Sequence, residues 1–445
     1  MLKLPELATK SEGIEAKAKG GNVAGESGAK RSKSKVVVDD PQSLSKVLLC
    51  IQKETATTRP EIARVSGLGR TLVAKHIDIA LRLKLVAEGN FGSSTGGRVP
   101  RLLEFNKDAG YLLVAQLGAT GMTIARSDLL GNAGEIVQAD IDISDGPEKV
   151  LQSLEKIFDK ISQSENVSLW GIGIGLPGPV EFATGILMSP PIMPGWDQYA
   201  LRNRIEKKYS APVWIDNDVN LMALGEAALN NDFKHRELLY IKIGTGIGAG
   251  IISNNTIHRG AQGSAGDIGH IAISEPTQIV CRCGNIGCLE AIAGGAALAR
   301  DAKVAVEGKQ SAFLADRLKK NRILTGKDVT DGAKHGDAWS VEAITHAGRQ
   351  VGQVLATIIN FYNPSLVIIG GGVASAGNLL LASVRETVYR RSLPLATRDL
   401  EIRLGDIKDE VGLRGASEMV LNELFSPEVL GQWVESGRPQ LPIKY

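Results

Sequence analysis

Cys281-Arg282-Cys283-Gly284-Asn285-Ile286-Gly287-Cys288 sets three thiols within eight residues, spaced by glycines that allow tight turns. Thiolates at this spacing can hold three corners of a tetrahedron around Zn2+, and Gly266-Asp267-Ile268-Gly269-His270, shortly upstream, offers His270 as the fourth. Four protein ligands make a closed, structural site with no water to activate. A reactive cysteine pair is the competing reading. The remaining cysteine, Cys50, falls at the end of an amphipathic helix and reads as a small apolar residue.

A second group of reactive types is Asp216-Asn217-Asp218-Val219-Asn220, between the apolar run Val213-Trp214-Ile215 and an Ala/Leu helix. Carboxylates at the C-terminal end of a strand sit where α/β sheets bind ligands. Asp218 there can take a proton from a sugar hydroxyl as a general base, and Asn217 can bind a neighbouring hydroxyl. Capping of the following helix is the alternative role. Two glycine loops, Gly118-Ala119-Thr120-Gly121 and Gly244-Thr245-Gly246-Ile247-Gly248, have the composition that cradles phosphate with backbone amides. Gly118, Thr120, Gly244, Thr245 and Gly246 are their candidate contacts. With the turn Gly370-Gly371-Gly372 they indicate a nucleotide cleft, present or ancestral.

A third group could meet nucleic acid. Arg70, Thr71 and Lys75 share the polar face of a helix whose Val73, Ile77 and Leu81 recur every four residues. Near a helix N-terminus such side chains can reach base edges in a major groove. Gly97-Arg98-Val99-Pro100-Arg101 places Arg98 and Arg101 around a rigid proline, a shape that fits a narrow minor groove. Solvated surface charge is the plainer alternative for both.

The elements that must position these groups follow from composition and periodicity. Residues 1–40 are polar, contain no aromatic residue and read as a disordered basic tail. Residues 41–106 form short helices and a hairpin. Leu44, Val47, Leu48 and Ile51 fall at helical spacing, Thr58 and Glu61 make a capping box, and Ser66-Gly67-Leu68-Gly69 is a tight turn before the third helix. Helix, glycine-containing turn, helix and two strands describe a winged helix-turn-helix that binds duplex DNA, in paired copies on two-fold-related half-sites. From 107 to 425 short apolar runs alternate with amphipathic helices, giving a two-lobed α/β domain with a cleft, and 426–445 reads as a C-terminal tail.

Charge agrees with this division. Residues 1–105 carry 18 Lys and Arg against 11 Asp and Glu, and the rest carry 33 against 38. A basic front on an acidic body suits a polyanionic partner. No run reaches the roughly 18 apolar residues of a membrane helix, and the polar start lacks the apolar middle of a signal peptide. The cysteines do not form a secretory disulfide framework, so the cytoplasm is expected.

Together these residues resemble the ROK family (repressors, open reading frames and kinases) over about residues 42 to 425. The resemblance is carried by Ser94-Thr95-Gly96-Gly97-Arg98, Gly175-Leu176-Pro177-Gly178-Pro179-Val180 and Pro194-Gly195-Trp196. It continues through Asn217-Asp218-Val219-Asn220, Gly225-Glu226, Gly266-Asp267-Ile268-Gly269-His270, the cysteine cluster ending in Glu290, and Asn363-Pro364. It implies an actin-like, hexokinase-like two-lobed fold and, with a winged helix in front, a regulator of sugar metabolism. It assigns sugar contacts to Asn217, Asp218, Asp267, His270 and Glu290, and structural zinc to His270, Cys281, Cys283 and Cys288.

Four departures qualify it. Gln116 stands where the family's kinases carry an Asp, and cannot offer a carboxylate to Mg2+. Ala119 crowds the first phosphate loop. Asp267 is one methylene shorter than the family's Glu, and Ile192 replaces a common Asn. The first two count against ATP and Mg2+, and the last two leave the sugar unspecified. The expectation is a DNA-binding regulator of the repressor type answering to a sugar or sugar phosphate, as a homodimer or homotetramer. The rival is an ATP-dependent sugar kinase with a DNA-binding appendage, for which Asp218 would be the base.

Overall fold

A computed structural model of the chain describes residues 38–91, 101–162, 167–229, 237–274, 276–406 and 410–445. The expected tail up to residue 37, and the loop 92–100 that carries Arg98, lie outside these residues.

Asp40 caps the first helix, Pro41–Gln52, its Oδ1 accepting from the Ser43 amide at 3.0 Å. Thr58 and Glu61 close the capping box of the second helix, Arg59–Ser66, which Gly67 ends in the left-handed conformation. The third helix, Arg70–Arg82, buries Val73 and Ile77 and leaves Arg70, Thr71 and Lys75 exposed. Strands Val86–Phe91 and Arg101–Phe105 then pair antiparallel. These elements follow the order expected of a winged helix-turn-helix.

Two five-stranded sheets follow, and they repeat one plan. In the first lobe, Tyr111–Leu117 pairs antiparallel with Gly121–Ser127, which pairs antiparallel with Ala133–Asp140. On its other side it pairs parallel with Leu169–Leu176, and that strand pairs parallel with Val213–Asn217. In the second lobe, Glu237–Ile243 is flanked by antiparallel Ile247–Ser253 and Thr256–Ile257, and by parallel Leu366–Gly370 and Glu401–Leu404. Strand order and pairing sense therefore match between the sheets. The parallel strands are apolar along their length because helices cover them.

Helices Asp218–Leu229 and Glu410–Leu424 cross between the lobes. Their backbones touch through glycines: a Cβ on Gly225 would lie 1.8 Å from the Val411 carbonyl oxygen, and one on Gly415 1.7 Å from that of Leu221. Only hydrogen fits at these two positions.

The C-terminal stretch 426–445, expected as a tail, is instead folded. It contains helix Pro427–Trp433, which buries Val429, Leu430 and Trp433. Trp433 donates its Nε1–H to the Leu424 carbonyl at 2.9 Å and packs edge-on against Trp170, with centroids 5.2 Å apart. Three apolar anchors in a short polar segment fix it, and composition averaged over the segment hides them. This corner also seats the front unit: Ser45 Oγ donates to the Phe425 carbonyl at 2.6 Å, Phe105 meets Phe425 edge-on at 5.6 Å, and Gln52 donates to the Leu129 carbonyl at 3.0 Å.

Candidate functional site: a sugar-type cleft beside a His/Cys3 cluster

Strand Val213–Asn217 ends at the cleft, and the chain turns there into the helix that starts at Asp218. The turn is held by Asp216, whose Oδ1 accepts from the amide of Asn217 at 2.7 Å and from Asn220 Nδ2 at 2.8 Å. Arg259 donates to its Oδ2 at 2.8 Å. Asn217 caps the helix through Val219 N at 2.9 Å and donates Nδ2 to the Gly178 carbonyl at 2.9 Å. Part of its hydrogen-bonding capacity is therefore structural, while Asp218 is presented, almost fully buried, at the cleft floor.

Asn217, Asp218, Asp267, His270 and Glu290 line one cavity of about 560 Å³, together with Thr245, Gly246 and Ile192. The five candidate sugar contacts thus converge from both lobes. The phosphate loops contribute less. Among the described residues, Gly118, Thr120 and Gly244 do not line the cavity; the first loop supplies Ala119. The Gly118 amide already donates to the Gly121 carbonyl at 2.7 Å, and the Gly244 amide to that of Gly246 at 2.9 Å. Gly246 is needed for another reason: a Cβ there would come within 2.4 Å of Glu290 Oε2.

The donor atoms of His270, Cys281, Cys283 and Cys288 all lie within 4.8 Å of one another. Cys283 Sγ and Cys288 Sγ are 3.6 Å apart, as are Cys281 Sγ and His270 Nδ1. Sulfurs sharing one ion at the usual Zn–S distance stand roughly 3.7 Å apart, so the residues fit a tetrahedral metal. The Asn285 backbone amide leads in pulling the Cys283 thiol down to about 7, and burial pushes Cys288 up to about 12. His270 turns Nδ1 toward the thiols and keeps Nε2 3.8 Å from Asp267 Oδ1, on the cavity side. One imidazole can therefore serve cluster and cleft together.

The sequence reading missed Lys242. Its ammonium pairs with Asp218 Oδ2 on the cavity wall. A lone cation in the otherwise apolar stretch Leu238–Ile243 was the available sign, since a lysine in a covered strand requires a partner.

The ROK family model matches residues 115–423, most of the chain. The chain belongs to the ROK family. A xylose repressor from Caldicellulosiruptor bescii is 33% identical over 389 residues, covering 85% of this chain and 95% of that protein. A glucokinase from Halalkalibacterium halodurans is 32% identical over 314 residues, covering 69% of this chain and 95% of its own. Among solved structures, a ROK family transcriptional regulator, a homologue of the Escherichia coli MLC protein, superposes with a TM-score of 0.75 at 25% identity. That match covers 89% of this chain and 99% of that one. Within this ROK body, Gln116 is not among the cavity-lining residues and lies against Gly412, where a Cβ would overlap its Oε1.

The nucleic-acid candidates fall apart from the cleft. Arg101 donates to Glu88 at 2.8 Å across the two-stranded ribbon, and Lys75 reaches Asp39 at 3.2 Å; both stay exposed. No helix among the described residues is long and apolar enough to cross a membrane.

Proposed function

We propose that the chain is a sugar-responsive DNA-binding transcriptional regulator, acting as a repressor of carbohydrate genes. Residues 41–106 would read DNA through Arg70, Thr71, Lys75 and the arginines Arg98 and Arg101. The lobes would bind a sugar or sugar phosphate through Asn217, Asp218, Asp267, His270 and Glu290. Two copies, as a homodimer or within a homotetramer, would occupy two-fold-related half-sites. We assign Zn2+ to His270, Cys281, Cys283 and Cys288. When bound it braces the loop that carries His270, so that Nε2 faces the sugar.

One observation carries this reading. The resemblance to the xylose repressor covers more of the chain than residues 107–445 contain, so it extends into the front unit; that to the glucokinase covers 69%. Sugar binding can alter DNA affinity only if it favours one lobe arrangement, typically by about 1–3 kcal/mol. The kinase alternative draws on Asp218 and the glucokinase resemblance, against Gln116 and the engaged loop amides.

The test is enrichment of genomic DNA fragments by the purified full chain, beside ADP release from ATP with a hexose panel. Enrichment of a two-fold-related sequence without sugar-dependent ADP release is expected. Hexose turnover with no enriched site would overturn the proposal.

A further inference from the structure

Inside the cleft, an ion pair joins Lys242 to Asp218. Asp218 is the candidate base, with a side chain only 3% exposed; Lys242 lies on the facing lobe, 22% exposed, and both line the cavity. The lysine stem runs beside the glycine loop, where a Cβ on Gly244 would meet Cε at 3.3 Å. Among the described residues Asp218 is the ammonium's hydrogen-bond partner, which leaves two of its three N–H groups for a ligand.

We infer that Lys242 converts the phosphoryl-acceptor position into a recognition position selective for an unphosphorylated sugar. A hydroxyl placed there donates its proton to the Asp218 carboxylate and accepts an N–H from Lys242. Phosphoryl transfer needs that oxygen's lone pair directed at phosphorus. Here the ammonium takes one of that oxygen's two lone pairs, and the carboxylate that would remove its proton is held in the Lys242 ion pair, so the hydroxyl is held for recognition. No bond is made or broken.

The same geometry sets the charge that the position accepts. Lys242 is already balanced by Asp218, and the remaining acidic lining residues are Asp267 and Glu290. The basic lining residues Arg282 and Arg300 belong to the cluster loop and the helix beyond it, and Arg300 is bonded to Asp301 and to the Ala291 carbonyl. A phosphate monoester on the clamped hydroxyl would bring its negative charge against the Asp218 carboxylate, whose partner Lys242 is already balanced by it. Exclusion follows from like-charge repulsion in a confined site.

This inference rests on the sugar-sensor reading. Its test is calorimetric titration of the full chain with glucose, N-acetylglucosamine and xylose, and with the 6-phosphates of the first two. Lys242→Met and Lys242→Arg variants are titrated in parallel, with metal content and melting temperature recorded. We expect at least one neutral sugar to bind and any 6-phosphate to bind at least about tenfold more weakly than its parent. Lys242→Met should weaken the neutral sugar by about tenfold or more at unchanged metal content, and Lys242→Arg should retain part of the affinity. Equal binding by wild type and Lys242→Met, or tighter binding of a phosphorylated sugar, overturns this inference alone. If no sugar of either kind binds, the sugar-sensor reading falls and this one with it.

Discussion

His76 lies on the inner face of the third helix with both ring nitrogens buried and, among the described residues, without a hydrogen-bond partner. Burial pushes its pKa below the ordinary 6.5; the Asp40 carboxylate opposes this and Lys75 adds to it. The unfolded chain therefore takes up a proton near pH 6.5, and the folded chain only at lower pH. Stability from neutral His76 is fully present above that window and is lost as pH falls through it. The melting temperature should drop between pH 7 and 5.5 more steeply in wild type than in His76→Leu; parallel slopes would clear His76 of the effect. At the cluster, Cys283→Ser leaves an incomplete ligand set. Metal content measured by mass spectrometry should fall to background and the sugar-induced thermal shift should vanish, whereas a variant with full metal would contradict the assigned ligands. Both groups differ in how far sequence exposed them. The cysteine spacing is local and can be read from eight consecutive residues, but the isolation of His76 depends on what three helices bring around it.

The helices and strands follow their local signals closely: the Thr58–Glu61 box, the apolar run ahead of Asp218 and the glycine after Ser66 all mark real boundaries. What local pattern could not reveal is contact between distant segments. Gly225 reads as one small residue in an Ala/Leu helix, and its need to be glycine comes from Val411, far along the chain. Gly225→Val should force the crossing helices apart. We expect destabilisation of about 1–3 kcal/mol or more, seen as a lower denaturant midpoint. A midpoint within error of wild type would mean that the crossing is looser than these distances imply. Lys242 lies on a strand of the second lobe and Asp218 at the helix start that follows a strand of the first, so their pairing needs the assembled molecule. Trp433 belongs to the same class: its neighbours Trp170 and Phe425 are set by tertiary packing.

Across the whole molecule, the candidate sugar residues and the front unit connect through the crossing helices. Asp218 begins one helix, the other ends beside Phe425, and Ser45 of the first helix holds the Phe425 carbonyl. Ser45→Ala removes that buried bond at a cost of about 1 kcal/mol and loosens the front unit on its seat. Sugar affinity should remain within about twofold, while the ratio of operator affinities with and without sugar shrinks toward one in an anisotropy titration. An unchanged ratio would place the coupling elsewhere.

The seating of the front unit has a geometric outcome. Its contacts through Gln52, Ser45 and Phe105 reach Leu129 and Phe425, both on the first lobe, so this reading head rides on a single jaw. A head carried in that way keeps its own shape when the jaws close. In a paired assembly, lobe closure would change the span between two heads, as opening a pair of calipers changes the gap between its points. A ligand in the cleft would then be read out as a mismatch against the fixed helical repeat of the duplex, where half-sites stand about 34–36 Å apart.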